Sequence, residues 1–259
     1  MPACTLTRLS RYPVKGLSAE ALQTVTLHPG DGLPGDRLYG FARYNAGFDP
    51  TAPRPLPKDR FVVLLTQAAL AGLQTRFDPQ TQTLTWVTGG HRATFDMATA
   101  EDRAEAAATL HRLLDLADPE PPVFVSAAPH RFTDVSVVSP QMMNAVSVLN
   151  LASVRALEDR WETTVHPARF RANIEIDRLP AFAELDAIGA TLRFGDVVLR
   201  LLSRTKRCAA TEVNPDTAER DLKLPYLLRR DLGHMDMGVY AEVLTGGTLA
   251  VDQTGALTA

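Results

Sequence analysis

The chain has 259 residues, 45% of them hydrophobic, and a formal net charge of −3. This hydrophobic share is enough for a folded core, and the slightly acidic balance argues against a nucleic-acid-binding protein, which normally carries a basic excess. The chain has two cysteines, no secretory leader pattern and no run near the roughly 20 apolar residues of a membrane helix, so we expect a cytoplasmic protein without a membrane partner.

The first half of the chain predicts short strands and two helices. Alternating hydrophobic residues indicate strands at residues 5–9, 22–27 and 37–43. Residues 46–58 contain four prolines and indicate an exposed loop. Helical periodicity predicts helices over residues 66–77 and 100–116, and Thr99 is placed to cap the second one.

The second half is richer in strands. A helix is predicted over residues 152–161, and strands are predicted at residues 123–126, 191–194, 197–202, 238–244 and 248–251. Glycines between the last four strands indicate two hairpins. Many short strands with an interposed helix favour a strand-rich α+β fold, a β-barrel with helical decoration. The proline-rich run at residues 118–122 suggests two domains, residues 1–119 and 120–259.

Three common kinds of site are disfavoured. Gly30-x-Gly32-x-x-Gly35 has dinucleotide-binding spacing, but that motif needs a helix to begin inside it, and Pro34 indicates a turn instead. Two cysteines so far apart cannot form a zinc knuckle. No Gly-x-Ser-x-Gly elbow supports a serine-hydrolase triad.

The most informative segment is Ser203-Arg204-Thr205-Lys206-Arg207-Cys208. It places three cations within four residues of a thiol, directly after an apolar strand. Nearby positive charge favours the thiolate, which acts as a nucleophile or as a ligand for a soft metal. Because a lone cysteine is more often a small buried residue, this segment alone leaves both interpretations open.

A second cationic segment is Arg169-Phe170-Arg171-Ala172-Asn173-Ile174. In an extended chain its two arginines and Asn173 would share one side. Guanidinium groups suit bidentate recognition of phosphate or carboxylate. Lys15 and Arg37, each beside a turn glycine, are further candidates for an anion site, although each alone is a common kind of surface charge.

Together these segments resemble the MOSC-domain family, relatives of the C-terminal domain of molybdenum cofactor sulfurase. The resemblance covers nearly the whole chain and is most specific over residues 169–217. It rests on Tyr12-Pro13-Val14-Lys15-Gly16, Gly35-Asp36-Arg37, the second cationic segment, Arg207-Cys208 and Asn214-Pro215-Asp216-Thr217. It implies a C-terminal MOSC β-barrel (residues 120–259), preceded by a smaller, mixed α/β N-terminal MOSC domain of β-barrel type (residues 1–119).

The resemblance also implies a molybdenum–pterin cofactor (Mo-molybdopterin). In relatives such as the mitochondrial amidoxime-reducing component, the cysteine of this motif binds the molybdenum, so Cys208 would be both metal ligand and catalytic residue. Family positions near the cofactor are matched by Lys15, Arg37, Arg171 and Asn173, which would hold its pterin and phosphate. Thr205 and Arg207 flank the metal ligand and would complete this shell, and Ser153 stands at a helix entry where its backbone would also meet the phosphate.

The implied activity is that of a molybdenum-dependent oxidoreductase that reduces small N-hydroxylated or N-oxide compounds. The metal would supply the redox chemistry, and the protein would supply binding and orientation. No ferredoxin-like cysteine set follows the domain, as it does in some bacterial relatives. Electrons are therefore expected from a separate ferredoxin- or cytochrome b5-type protein with its reductase.

Three positions depart from the family pattern. Ala187 stands where many members have a tryptophan, and Val251-Asp252 replaces a closing Gly-Asp. Both changes are expected to affect packing. Gly16 follows the motif lysine where serine is common, which removes one hydroxyl contact to the cofactor.

Two other functions remain open. Cys208 could carry a persulfide delivered by a pyridoxal-phosphate-dependent cysteine desulfurase, because sulfur transfer also needs an accessible thiolate. The convergence of Lys15, Arg37, Arg171 and Asn173 favours a stably bound cofactor over this sulfur-carrier function. The third possibility is a barrel that binds the cofactor without turnover.

Overall fold

The computed structural model describes residues 2–126, 128 and 130–258, which form fifteen strands and five α-helices. The strands are β1 (Ala3–Arg11), β2 (Glu20–Leu22), β3 (Thr24–Leu27), β4 (Tyr39–Ala42), β5 (Gln74–Asp78), β6 (Thr83–Thr88), β7 (His91–Asp96), β8 (Val123–Ser126), β9 (Val146–Asn150), β10 (Ile174–Asp177), β11 (Thr191–Phe194), β12 (Val197–Lys206), β13 (Asp236–Thr245), β14 (Gly247–Ala250) and β15 (Thr254–Thr258). The α-helices are α1 (Ala100–Leu113), α2 (Pro140–Met143), α3 (Leu151–Trp161), α4 (Ala183–Asp186) and α5 (Leu224–Leu232).

Seven strands close into a barrel in the order β10-β9-β13-β12-β11-β15-β1, because β1 pairs back onto β10. Neighbours are antiparallel except β9 and β10, which are parallel. The barrel is filled by apolar side chains that include Leu6, Ile174, Phe194, Leu199 and Val239. The predicted β-barrel is therefore confirmed. Among the described residues, no helix is both long and apolar enough to cross a membrane.

A second hydrophobic core lies in the first half, where the three-stranded sheet β5-β6-β7 packs with α1. The predicted cap of α1 is present, since the Thr99 hydroxyl accepts a hydrogen bond from the Asp102 backbone N–H at 3.1 Å. The division into residues 1–119 and 120–259 stays a prediction, and its outer ends, residues 1 and 259, lie outside the described part. Strands β1 and β3 precede this boundary, and both pair with strands beyond it.

The helix predicted over residues 66–77 is wrong. A short 3-10 helix occupies Ala68–Gly72, and the chain then enters β5. Strand pairing overrides the helical periodicity here, because Phe77 pairs with Leu84 of β6 and its ring lies 4.5 Å from that of Tyr39. Local sequence does not reveal such a tertiary contact.

The two predicted hairpins have different outcomes. The first is confirmed, since β11 and β12 pair in antiparallel fashion from Phe194 and Val197 outward. The second is wrong, because β14 pairs with β3 and not with β13. A side chain at Gly246 would lie 2.5 Å from the Leu27 carbonyl, and Gly247 has a φ of +147°. These glycines bring the chain against β3 instead of folding it back on β13.

Candidate functional site

Cys208 lies just beyond the end of β12, one of the two ten-residue strands of the barrel. The Arg207 backbone N–H donates to the Met235 carbonyl at 2.8 Å, which holds this segment beside the start of β13. The carbonyl of Cys208 accepts from the Thr211 backbone at 3.0 Å and from the Thr211 hydroxyl at 2.9 Å. The half-buried thiol is therefore held on a fixed backbone.

Cys208 lines a cavity of about 480 Å³, here called the cationic cavity. Seven of the eight residues predicted for the site line it, namely Lys15, Arg37, Arg171, Asn173, Thr205, Arg207 and Cys208. Its charged walls are Lys15, Arg37, Lys58, Arg169, Arg171, Arg204, Lys206 and Arg207, against Asp134 as the acid among the described lining residues. In a chain of net charge −3, this concentration of cations indicates a site for an anionic ligand.

Lys15 is buried, and its position depends on the glycine that follows it. Its Nζ donates to the Phe132 carbonyl at 2.8 Å and to Asp134 at 2.5 Å. Gly16 has a φ of +86°, and a Cβ there would lie 2.5 Å from the Val62 carbonyl. A serine at this position would clash, so the departure from the family's Lys-Ser pair has a structural reason. Burial lowers the pKa of Lys15, and Asp134 opposes that shift.

Arg37 and Arg171 stack on the ring of Tyr12. Their guanidinium carbons lie 4.6 Å and 4.2 Å from its centroid. Both arginines adopt left-handed backbone conformations, with φ values of 53° and 51°. Burial lowers the pKa of Arg171, whereas that of Arg37 is raised because its partner Asp36 outweighs the effect of burial. The stack holds two like charges together, an arrangement that suits an anion at this wall.

The extended chain predicted for residues 169–174 is wrong at its beginning. Pro167–Phe170 is a 3-10 helix, and His166 Nδ1 caps it by accepting from the Ala168 N–H at 3.0 Å. Arg169 is buried in an ion pair with Asp221 at 2.6 Å. The turn changes how the two arginines are presented, but both still line the cationic cavity.

Asn173 lines the cavity and also ties three parts of the barrel together. Its Oδ1 accepts from the Ser147 backbone N–H at 3.1 Å and from the Ser147 hydroxyl at 2.9 Å. Its Nδ2 donates to the Ser10 carbonyl at 3.2 Å. These contacts use most of the hydrogen-bonding capacity of the Asn173 side-chain amide. Asn173 therefore positions the cavity wall as well as lining it.

Sequence reasoning missed two side chains of the site, Lys58 and Asp134. Lys58 Nζ lies 3.3 Å from the Cys208 sulfur and 3.6 Å from an oxygen of Asp134. Although burial opposes both shifts, the pKa of Lys58 is raised by Asp134 and Cys208, and the pKa of Asp134 is held well below its usual range by Lys15 and Lys58. Neither residue belongs to a recognisable motif, and the proline content around Lys58 indicated only a loop.

Three polar atoms in the walls of the cavity are buried and have no hydrogen-bond partner among the described residues. They are Arg169 Nε, Thr205 Oγ1 and Arg207 Nη2. Burial lowers the pKa of Arg207 to about 10. Because unsatisfied buried polar atoms are costly, a ligand that bonds to them would stabilise this wall. Cations, unpaired donors and a thiol together fit a phosphate-bearing group that contains a soft metal.

Ser153 is the predicted site residue that the structure does not bring to the cavity. It is fully buried in α3. Its hydroxyl donates to Glu184, with O–O distances of 2.8 Å and 3.0 Å to the two carboxylate oxygens, and accepts from the Phe182 N–H at 2.8 Å. These bonds link α3 to α4 and leave the hydroxyl engaged inside the protein.

Residues 129–254 match the family model of the MOSC domain. The molybdenum cofactor sulfurase of Drosophila mojavensis is 36% identical over 104 residues, which are 39% of this chain and 13% of that protein. Mitochondrial amidoxime-reducing component 1 of Mus musculus is 40% identical over 78 residues, 30% of this chain and 22% of that protein. Each match thus covers less than a quarter of the relative.

Two solved structures align with this chain at TM-scores below 0.5. The YuaD protein from Bacillus subtilis aligns over 99% of this chain and 97% of its own, with a TM-score of 0.45 and 12% identity. YiiM from Geobacillus stearothermophilus aligns over 44% of this chain and 54% of its own, with a TM-score of 0.35 and 16% identity. The likeness to the family rests instead on the sequence match over residues 129–254: these residues, which include Cys208, match the MOSC domain.

Proposed function

We propose that this chain binds a molybdenum–pterin cofactor in the cationic cavity and reduces N-hydroxylated or N-oxide compounds. The observation that carries the proposal is the Cys208 thiol in a cavity lined by eight cations and Asp134. The match to an amidoxime-reducing component supports the class of reaction, and the match to a cofactor sulfurase supports the class of cofactor.

Each wall of the cavity has a part in holding the cofactor. The sulfur of Cys208 is the soft ligand for the metal. The stacked pair Arg37 and Arg171 suits the phosphate, since guanidinium groups bind phosphate oxygens in bidentate fashion. Thr205 Oγ1 and Arg207 Nη2 are buried without partners among the described residues and supply further hydrogen bonds.

When bound, the cofactor supplies two-electron oxygen-atom chemistry. Reduction of an amidoxime to an amidine consumes two electrons and two protons and releases water. Lys58 holds a proton on Nζ beside Cys208, and Asp134 keeps that ammonium in place. In this proposal the electrons come from a separate ferredoxin- or cytochrome b5-type protein with its reductase.

A second candidate function uses the same thiol as a sulfur carrier. Cys208 is half-buried, and the ammonium 3.3 Å from its sulfur would also stabilise a persulfide anion. A cysteine desulfurase that uses pyridoxal phosphate would be the sulfur donor. This function needs no metal, so a measurement of metal content distinguishes it from the first.

Activity is tested with protein from a cofactor-competent host, with benzamidoxime as substrate and reduced methyl viologen as electron donor. The comparison includes Cys208→Ser and a matched control, Cys4→Ser, because Cys4 is fully buried in the barrel core. We expect benzamidine from wild type and Cys4→Ser, and a loss of at least about a hundredfold in Cys208→Ser. Loaded wild-type protein without benzamidine formation, or an equally active Cys208→Ser, would refute the reductase.

A further inference from the structure

A second cavity, of about 640 Å³, lies between the β4–β8 sheet, residues 42–50 and α1. Among the described residues, it shares no lining side chain with the cationic cavity. Its volume falls within the roughly 300–1,000 Å³ typical of small-molecule sites. It is therefore large enough for an independent ligand.

The walls of this second cavity are mainly apolar. Tyr39 and Phe124 stack with centroids 5.5 Å apart and planes 9° from parallel. Phe48 also lines the cavity, and its ring contacts that of Phe132 edge-on, with centroids 5.9 Å apart. Val123, on β8, keeps 60% of its surface exposed. Flat aromatic walls of this kind favour a flat, apolar ligand body.

The charged residues that line the cavity are two arginines, and no acid joins them among the described lining residues. Arg43 is neutralised, because its Nη2 and Nε donate to Asp118 at 2.7 Å and 3.4 Å. Arg103 donates from Nη1 to the carbonyls of Met97 at 2.9 Å and Ala98 at 2.8 Å. Carbonyls do not cancel its charge, so within the described lining Arg103 is the cation that lacks a carboxylate partner.

We propose that the second cavity binds a small organic anion with a flat apolar body, whose acidic group faces Arg103. The aromatic walls bury the body, and the guanidinium pairs with the acid through charge-assisted hydrogen bonds. This inference does not depend on the function proposed for Cys208.

The test uses naphthalene-2-carboxylate and its neutral analogue naphthalene-2-carboxamide, titrated into the 259-residue protein by calorimetry. Two variants probe the second cavity. Arg103→Gln removes the charge, and Ala46→Trp fills the space that Ala46 lines.

Two controls accompany them: Arg112→Gln, exposed on the same helix, and Arg171→Gln, in the cationic cavity. Circular dichroism and thermal unfolding verify that each variant is folded.

We expect the carboxylate to bind wild type about tenfold more tightly than the carboxamide, because only the acid pairs with Arg103. Arg103→Gln should remove that preference, Ala46→Trp should weaken both ligands at least about tenfold, and both controls should bind like wild type. The proposal is overturned if neither compound binds at millimolar concentration, if acid and amide bind alike, or if Arg171→Gln abolishes binding while Ala46→Trp does not. If Ala46→Trp fails to fold, the comparison of acid and amide on wild type and Arg103→Gln still decides the matter.

Discussion

Lys58 and Cys208 are 150 residues apart in sequence, yet the lysine Nζ lies 3.3 Å from the cysteine sulfur. The lysine is half-buried and begins a 3-10 helix directly after the proline-rich loop. Asp134, 3.6 Å from the same Nζ, keeps the ammonium charged. The loop thus brings a fixed positive charge to the thiol that lines the cationic cavity.

Replacing Lys58 by methionine should slow alkylation of Cys208. Because a positive charge close to a cysteine sulfur favours its reaction as a nucleophile, we expect a decrease of roughly three- to tenfold in the rate with iodoacetamide when the ammonium is removed. The measurement is mass spectrometry of the peptide that contains Cys208, in cofactor-free protein. Arg60→Met, an exposed cation of the same turn, should react like wild type. Equal rates in wild type and Lys58→Met would show that the contact does not activate the thiol.

Replacing Arg171 by glutamine should weaken cofactor retention. The substitution removes one guanidinium of the pair that stacks on Tyr12, and the loss of a charge-assisted hydrogen bond corresponds to roughly a tenfold weaker affinity. Pterin fluorescence after gel filtration measures the retained fraction. Arg193→Gln, exposed on β11, is the control and should retain as much pterin as wild type. If Arg171→Gln retains as much pterin as wild type, this wall of the cavity does not bind the cofactor.

Replacing Gly16 by serine should destabilise the protein instead of restoring a cofactor contact. The left-handed backbone and a Cβ 2.5 Å from the Val62 carbonyl together cost on the order of 2–4 kcal/mol of unfolding free energy. Gly30→Ala separates the cost of the left-handed backbone from the cost of the close contact. Gly30 has a φ of +71° and open space within 4 Å of the position that a Cβ would occupy, so only about 1 kcal/mol is expected there. Chemical denaturation measures both, and equal losses in the two variants would show that the close approach to Val62 is unimportant.

Glu184 should make stability fall as pH rises. Burial raises its pKa in the folded state above the ordinary value of 4.5, so the folded protein binds the proton more tightly than the unfolded chain. The stability from this group is fully present below pH 4.5 and is lost as pH rises through the folded pKa. Glu184→Gln should therefore gain stability relative to wild type as pH rises from 4.5 to 7.

The control for this prediction is Glu120→Gln, at an exposed position. Its difference from wild type should not change over the same pH range. Urea denaturation at several pH values measures both differences. A Glu184→Gln difference that is constant with pH would contradict the assigned burial effect.

Local patterns could predict α1 and four of the seven barrel strands, β1, β11, β12 and β13. Strand β11 alternates between buried and more exposed residues, and the Gly195-Asp196 turn fixes its hairpin with β12, whereas β9 is buried at all five positions and shows no alternation. Thr99 caps α1 by a bond that spans three residues. The partner of β14 could not be predicted in this way, because its pairing with β3 depends on residues more than 200 positions away.

The same difference between local patterns and long-range contacts applies to the site. Cys208 and its neighbouring cations form a local motif, so sequence could identify them. Asp134 meets Lys15 across 119 residues and Lys58 meets Cys208 across 150, and no periodicity encodes such contacts. Ser153 shows that a match to the family pattern can also mislead. Its hydroxyl bonds to Glu184 inside the protein, away from the cationic cavity.

Molybdenum content measured by elemental analysis, together with pterin fluorescence, tests the central claim most directly. Wild type, Cys208→Ser and the buried-cysteine control Cys4→Ser are purified from a cofactor-competent host. The account predicts about one molybdenum per chain in wild type and Cys4→Ser, with the metal lost or spectroscopically altered in Cys208→Ser. Absence of both metal and pterin from all three proteins would contradict the account and favour a persulfide on Cys208.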